Sequence, residues 1–217
     1  RAAIAQLDAA QKMYDAGRYA DAEDAYKALA KSRKLGGLSW SERVTTAFQT
    51  ASGGIDKTMY DQYGDPIEED ALFMVAQCQF AQKKYSWAQD SYDRLLEKYP
   101  STRHLDEVTG RLFEIAHTWM GFPTPDEKGD VELASGELLK TNPRTGDKNF
   151  RKPSFFNVTN RSRPMFDTAG RALQALESIW LHDANGPLED DALMLTANYH
   201  LQTGDFVEAA RVYELLR

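Results

Sequence analysis

The feature that most restricts the fold is a residue pattern that occurs in the middle of the chain and again at its end. The stretch from Pro66 to Pro100 aligns with the stretch from Pro187 to Arg217 at an offset of 121 residues. The matching pairs are Pro66 with Pro187, Asp70 with Asp191, Ala71 with Ala192, Leu72 with Leu193, Ala76 with Ala197, Tyr85 with Phe206, Ala88 with Ala209, Tyr92 with Tyr213 and Leu95 with Leu216. Repetition on this scale indicates an array of similar units that bury their apolar faces against one another.

A third copy of the pattern lies near the beginning of the chain. Each copy has a turn residue followed by an aromatic residue, an alanine, a second aromatic residue and a leucine at fixed spacing. The three sets are Gly17, Tyr19, Ala22, Tyr26, Leu29; Lys83, Tyr85, Ala88, Tyr92, Leu95; and Gly204, Phe206, Ala209, Tyr213, Leu216. Apolar residues at helical spacing flank each turn, so each copy is predicted to be a helix pair. Glycine suits the tight turn, the next aromatic residue is expected to plug the end of the pair, and alanine allows close helix packing.

The whole chain, residues 1–217, is predicted to form one all-α domain, a helix–turn–helix solenoid with two insertions. The helix pairs are placed near 2–33, at 66–100, at 103–120 together with 165–183, and at 187–217; the insertions are 35–65 and 122–164. In the interrupted pair, Phe166, Ala169, Leu173 and Leu176 are predicted to take the places of Tyr85, Ala88, Tyr92 and Leu95. The longer insertion then falls at an interhelix turn, where extra chain projects without breaking the stack.

The pattern resembles the tetratricopeptide repeat, a helix–turn–helix unit of 34 residues. The small-residue positions of that family would be Ala10, Ala76 and Ala197 in the first helices and Ala22, Ala88 and Ala209 in the second. The closing proline is matched only by Pro100, and Leu72 and Leu193 stand where the family has a tryptophan. The resemblance covers most of the chain outside the two insertions, and it implies a repeat solenoid.

The stretch that follows the middle copy resembles one particular group of tetratricopeptide-repeat proteins. The run from Leu95 to Val108, LLEKYPSTRHLDEV, is similar to a junction in BamD-like outer-membrane assembly lipoproteins, although the long insertion departs from their compact pattern. This resemblance implies a non-enzymatic protein–protein scaffold on the periplasmic side of a bacterial outer membrane, held by a lipidated cysteine upstream of Arg1. Two alternatives stay open. One is a cytoplasmic adaptor that binds peptide tails, and the other is the repeat region of a larger multidomain protein, such as a regulated enzyme.

Composition and motifs favour binding over catalysis. The net charge of −7 argues against broad nucleic-acid binding, which needs a basic face. The sequence contains no glycine-rich phosphate loop, HExxH or GxSxG, and its four histidines have no ligand spacing. The single cysteine, Cys78, is interpreted as a packing residue. We therefore predict no catalytic, cofactor-binding or metal site.

The expected partners are other proteins or peptide segments, with no nucleic acid. No apolar run approaches the 18 residues that would suggest a membrane-spanning helix. Membrane association is expected only through the upstream lipid anchor. Because the chain starts at Arg1 and stops within a predicted helix at Arg217, it is interpreted as a fragment of a longer protein.

Two acidic triplets resemble metal or catalytic clusters. They are Glu68, Glu69 and Asp70 after Pro66, and Glu189, Asp190 and Asp191 after Pro187. Because the same arrangement recurs at two predicted helix starts, both triplets are attributed to the helix dipole, which favours anions at that end.

Two sets of residues are predicted to contact partners. In the family resemblance the first helices line the concave face, and the outward positions would be Gln11, Tyr14, Gln77, Phe80, Arg111, Glu114, Asn198 and Gln202. The second set lies in the basic half of the long insertion: Arg151, Lys152, Phe155 and Phe156. Such residues are typical of a docking arm, and single-stranded nucleic acid would use the same types. The favoured interpretation is that this insertion folds back on the stack and buries its phenylalanines.

Overall fold

A computed structural model describes residues 2–33, 65–120 and 162–216, with residues 153, 155–157 and 160 of the longer insertion. All regular secondary structure in these ranges is helical, which confirms the predicted all-α class. The helices are α1 (Ala2–Asp15), α2 (Tyr19–Arg33), α3 (Pro66–Ala81), α4 (Tyr85–Lys98), α5 (Leu105–Met120), α6 (Thr168–His182), α7 (Glu189–Thr203) and α8 (Phe206–Leu215). Apart from Asp65, the insertion predicted at 35–65 lies outside the described residues.

The chain divides into two compact units, Arg1–Thr102 and Arg103–Arg217. In the first unit α1 packs on α2, α2 on α3 and α3 on α4, and α3 also contacts α1. In the second unit α5 packs on α6, α6 on α7 and α7 on α8. Within each unit, helices that follow one another in the chain are neighbours. The arrangement of both units as one continuous solenoid stays a prediction.

Small side chains lie where helices meet. The six predicted small positions are all buried: Ala10, Ala22, Ala76, Ala88, Ala197 and Ala209. In the first unit Tyr26 and Leu29 of α2 share a core cluster with Val75 and Cys78 of α3. Because alanine occupies little volume, the backbones can approach closely, and the tyrosine and leucine fill the space beside them.

The three hairpin turns share one backbone geometry. Gly17, Lys83 and Gly204 have φ angles of 73°, 58° and 84°. The amide of the next residue donates to a carbonyl five residues earlier, from Arg18 to Met13, Lys84 to Gln79 and Asp205 to His200, each at 2.9 Å. This Schellman-type closure satisfies carbonyls that the end of the first helix would otherwise leave open.

Replacing Lys83 with glycine is expected to stabilise the protein by about 0.5–1 kcal/mol, since left-handed backbone is costly for a residue with a Cβ. The matched variant is Gly204→Ala, which we expect to destabilise by about 1 kcal/mol. An added Cβ at Gly204 would have no neighbouring atom within 4 Å, so that cost would be conformational alone. Denaturant unfolding measures both, and a loss of stability in Lys83→Gly would contradict the interpretation.

The register predicted for the interrupted pair is wrong. Phe166 precedes α6, which begins at Thr168 after an N-cap in which the Asp167 carboxylate accepts the Gly170 amide at 2.9 Å. Ala169 and Leu173 are only partly buried. The fully buried residues of α6 that match Ala88, Tyr92 and Leu95 are Ala172, Leu176 and Ile179, at an offset of 84 rather than 81. The helix therefore starts three residues later than the apolar pattern suggests.

Candidate partner-binding surfaces

Three of the predicted outward positions are amides, and each has a tyrosine fifteen residues later in the sequence. The pairs are Gln11 with Tyr26, Gln77 with Tyr92, and Asn198 with Tyr213. The tyrosine hydroxyl donates to Gln11 at 2.9 Å and to Asn198 at 2.8 Å, in both cases across fifteen residues of chain. Gln77 and Asn198 are only 6% and 5% exposed, so the prediction that they face outward is wrong. Two polar groups that meet inside a helix pair can satisfy each other, which explains the burial of Asn198.

Tyr14 and Phe80, two further predicted positions, pack against aromatic residues across their turns, edge-on in the first pair and tilted in the second. The pairs are Tyr14 with Tyr19, at 5.2 Å between ring centroids, and Phe80 with Tyr85, at 5.0 Å. The expectation that the aromatic residue after each turn plugs the pair is wrong for Phe206, whose side chain is exposed. In the third hairpin, the position that corresponds to Tyr14 and Phe80 is Leu201. Phe206 therefore has no aromatic residue at that position to pack against.

The remaining predicted first-helix positions are partly open to solvent. Arg111 and Glu114 form an ion pair at 3.0 Å on the surface of α5, and each side chain is about half exposed. An exposed pair at this spacing contributes little to stability. Gln202 is partly buried on α7. Of the insertion residues, Arg151 and Lys152 lie outside the described residues.

A buried carboxylate that the sequence analysis missed joins three helices of the first unit. Glu23 of α2 accepts hydrogen bonds from Lys27 at 2.5 Å, Gln79 at 3.0 Å and Gln82 at 2.8 Å. The side-chain amide oxygen of Gln79 accepts a hydrogen bond from the Ser91 hydroxyl of α4 at 2.7 Å. Burial by itself raises the pKa of Glu23, but the hydrogen bonds from Lys27, Gln79 and Gln82 outweigh it, and the pKa falls to about 2. The group is therefore a structural anion rather than a proton donor near neutral pH.

The dipole explanation of the first acidic triplet is incomplete. Glu68 is buried, and its carboxylate accepts hydrogen bonds from the Lys98 amine and, at 3.0 Å, from the Tyr99 hydroxyl. The Thr102 hydroxyl donates to Glu69 at 2.6 Å. These bonds tie the start of α3 to the end of α4 and to the residues that follow it.

The described part of the longer insertion forms a loop closed by one antiparallel β-bridge, between Phe156 and Phe166. The Asn157 amide donates to the Met165 carbonyl at 2.8 Å, and the Asp167 amide donates to the Phe155 carbonyl at 2.7 Å. Trp119 of α5 donates its indole N–H to the Ser162 carbonyl at 2.6 Å, which fixes the loop to that helix. We call the described residues 153, 155–157, 160 and 162–167 the bridge loop.

Four large apolar side chains of the bridge loop are exposed. This aromatic patch consists of Phe155, Phe156, Met165 and Phe166, which are 68%, 52%, 56% and 54% exposed. The favoured expectation that the insertion buries its phenylalanines is therefore wrong for Phe155 and Phe156. Pro153 and Pro164 are the buried residues of the loop. Since successive side chains along each chain segment of the bridge point to opposite faces, the loop cannot turn all four apolar groups inward.

Other chemistry is limited in the described ranges. No group of three or more His, Cys, Asp and Glu residues among them is arranged to hold a metal ion. No described helix has the length and apolar character needed to cross a bilayer. Cys78 is buried, as its interpretation as a packing residue predicts, and burial followed by the nearby Glu23 charge raises the pKa of its thiol to about 12. A thiol with that pKa is a poor nucleophile at neutral pH.

No protein-family model matches the chain, and neither curated proteins nor solved structures gave a significant match. The tetratricopeptide and BamD-like resemblances therefore stay predictions.

Proposed function

We propose that the chain is a non-enzymatic scaffold for protein–protein contacts, built as a tetratricopeptide-like solenoid. The observation that carries this proposal is the recurrence of one hairpin geometry. The hairpins at Gly17, Lys83 and Gly204 share a left-handed turn residue and the same closing hydrogen bond. Each also has a buried alanine in both helices, and in the hairpins at Gly17 and Gly204 an amide accepts a hydrogen bond from a tyrosine fifteen residues later. Units that repeat their internal contacts can stack and offer an extended surface to partners.

The proposed setting is the periplasmic side of a bacterial outer membrane, as in BamD-like lipoproteins. The junction from Leu95 to Val108 and the hairpin spacing support it. The alternatives remain a cytoplasmic adaptor for peptide tails and the repeat region of a larger protein. Fractionation of cells that make the full-length protein separates them, because a lipidated scaffold is recovered with the outer membrane and an adaptor with the cytoplasm.

Site-specific photocrosslinking tests the scaffold function. A crosslinking residue in place of Glu114 on the first helix α5 is expected to capture partner proteins. The matched position is Glu177, an exposed glutamate on the second helix α6 of the same unit. The double variant Phe80→Ala, Arg111→Ala should weaken capture at Glu114 if first helices form the contact face. Equal capture at both positions, or capture unchanged in the double variant, would count against the proposal.

A further inference from the structure

We propose that the aromatic patch of the bridge loop binds an extended acidic segment of a partner protein, which adds as a strand beside Phe166. This inference rests on the proposed scaffold function and specifies the chemistry of one partner. The aromatic patch is separate from the first-helix positions. An experiment can therefore contradict the proposal for the patch without contradicting the proposal for the first-helix positions, and the reverse.

The first step is the open backbone edge at Phe166. The hydrogen bonds of the bridge join the residues on either side of the bridged pair, Asn157 with Met165 and Phe155 with Asp167. In this antiparallel geometry the amide and carbonyl of a bridged residue point away from the opposite chain. No backbone hydrogen bond joins Phe166 to another described residue. The Phe166 amide and carbonyl can therefore pair with an extended peptide, whereas Pro164, the previous position on this edge, has no amide to donate.

The second step is the apolar surface beside that edge. The rings of Phe156 and Phe166 lie 5.3 Å apart, and both residues are about half exposed. Across a bridge these two side chains share one face, while those of Phe155 and Met165 belong to the other. An added strand with apolar residues at alternate positions would place them against the Phe156 and Phe166 rings. Aromatic residues dominate the energetics of such contacts.

The sequence around the bridge loop carries mostly positive charge. The chain as a whole carries a net charge of −7, yet residues 143–171 are basic. Their charged residues are Arg144, Lys148, Arg151, Lys152, Arg161, Arg163 and Arg171 against Asp147 and Asp167. The carboxylate of the described loop, Asp167, already accepts the Gly170 amide. Arg163 lies three residues before Phe166 in the chain. Arg163 is the cation of the described bridge loop, so an acidic side chain on the incoming segment would complement it, while the net charge of the chain disfavours a nucleic acid.

The fourth step is that the edge is held in place before any partner arrives. Trp119 donates to the Ser162 carbonyl. The Asn157 and Asn160 side chains close the turn, with Asn157 donating to the Asn160 carbonyl at 2.7 Å and the Asn160 amide donating back at 3.1 Å. A preformed edge avoids the ordering cost that a loose segment would carry into binding.

Fluorescence anisotropy with the intact chain tests the inference. The probe is a labelled peptide about nine residues long that alternates aspartate or glutamate with isoleucine or valine. We expect it to bind, and we expect roughly tenfold weaker binding for two matched peptides. One carries lysine in place of every acid. The other has N-methyl groups on alternate amides, which remove main-chain donors but keep all side chains.

Variants of the chain locate the site. Phe166→Ser and Arg163→Glu are each expected to weaken binding of the acidic peptide about tenfold. The control is Trp87→Ala, an aromatic residue of α4 that is equally exposed, at 56%. It should bind the peptide as the parent chain does. Since Phe166 is exposed, its replacement should leave the thermal midpoint unchanged, which separates loss of binding from loss of folding.

Several outcomes would overturn the inference. N-methylation without effect excludes strand addition, and equal binding of the lysine peptide excludes charge recognition. Displacement of the peptide by anionic vesicles or by a single-stranded oligonucleotide that binds more tightly assigns the patch to lipid or nucleic acid. If no peptide binds while crosslinks persist at Glu114, the scaffold function stands and the role of the patch fails. If crosslinks at Glu114 are absent while the acidic peptide binds, the first-helix contact face fails instead.

Discussion

Replacing Glu23 with alanine is expected to lower the free energy of unfolding by about 3 kcal/mol at neutral pH. The Glu23 side chain is almost wholly buried between α2 and α3. Without its carboxylate, the buried Gln79 amide loses its acceptor, and the Lys27 and Lys84 amines lose a charge partner at 2.5 and 3.5 Å. Both lysines reach solvent, which keeps the cost at the lower end of the range for a broken buried ion pair.

Denaturant unfolding measures this loss, and Asp24→Ala is the matched control. Asp24 is the next residue along α2 and is exposed. Its replacement should change stability by no more than about 0.5 kcal/mol. A similar loss in both variants would mean that acidity of α2 in general, rather than the buried contacts of Glu23, supports the first unit.

The same carboxylate predicts sensitivity to acid. On folding, the pKa of Glu23 falls from its ordinary value of 4.5 to about 2, where burial opposes the fall and the hydrogen bonds from Lys27, Gln79 and Gln82 cause it. A lowered pKa stabilises the fold above pH 4.5, and this contribution, about 3 kcal/mol, is lost as the pH falls from 4.5 towards 2. In Glu23→Gln, stability should therefore change less across this interval than in the parent chain. An unchanged acid profile would contradict the assignment.

The hairpins could be predicted because their determinants are local. Gly17 and Gly204 permit left-handed turns, and an alanine and a tyrosine follow at fixed spacing on a helix. The register of α6 could not be predicted in the same way. A shift of three residues leaves apolar positions on nearly the same helix face, so Ala169 and Ala172 fit the pattern almost equally well. The helix begins after the Asp167 N-cap, which directly follows the Phe156–Phe166 bridge, and the apolar pattern carries no signal for that bridge.

The candidate site was harder to predict than the fold, because burial of polar groups depends on partners far along the chain. Glu23 directly follows the buried Ala22, and this position at a helix contact was the signal that could have identified it. Gln79, which donates a hydrogen bond to it, is 56 residues away along the chain. Likewise, the family resemblance predicts that Asn198 faces outward, but Asn198 is buried and accepts a hydrogen bond from the Tyr213 hydroxyl. Spacing on one helix gives no information about such cross-helix hydrogen bonds.

Replacing Trp119 with alanine is expected to lower the free energy of unfolding by about 4 kcal/mol, the largest effect of any change considered. Trp119 is fully buried on α5, and its indole N–H donates to the Ser162 carbonyl at 2.6 Å. The alanine variant removes both the apolar volume and the hydrogen bond. Trp119→Phe keeps most of the volume and loses the donor, so its expected cost is about 1–2 kcal/mol. Denaturant unfolding of both variants separates the two contributions.

The Trp119→Phe variant also tests whether this hydrogen bond holds the bridge loop. The Asn157 and Asp167 amides donate across the bridge, so their hydrogen exchange should accelerate in this variant beyond the change expected from global stability. Trp87→Phe, at an exposed position of α4, is the control and should leave both amides unchanged. If exchange at Asn157 and Asp167 follows global unfolding alone, the loop does not depend on Trp119. If exchange accelerates locally, binding of the acidic peptide should weaken in the same variant, because the edge at Phe166 would no longer be preformed.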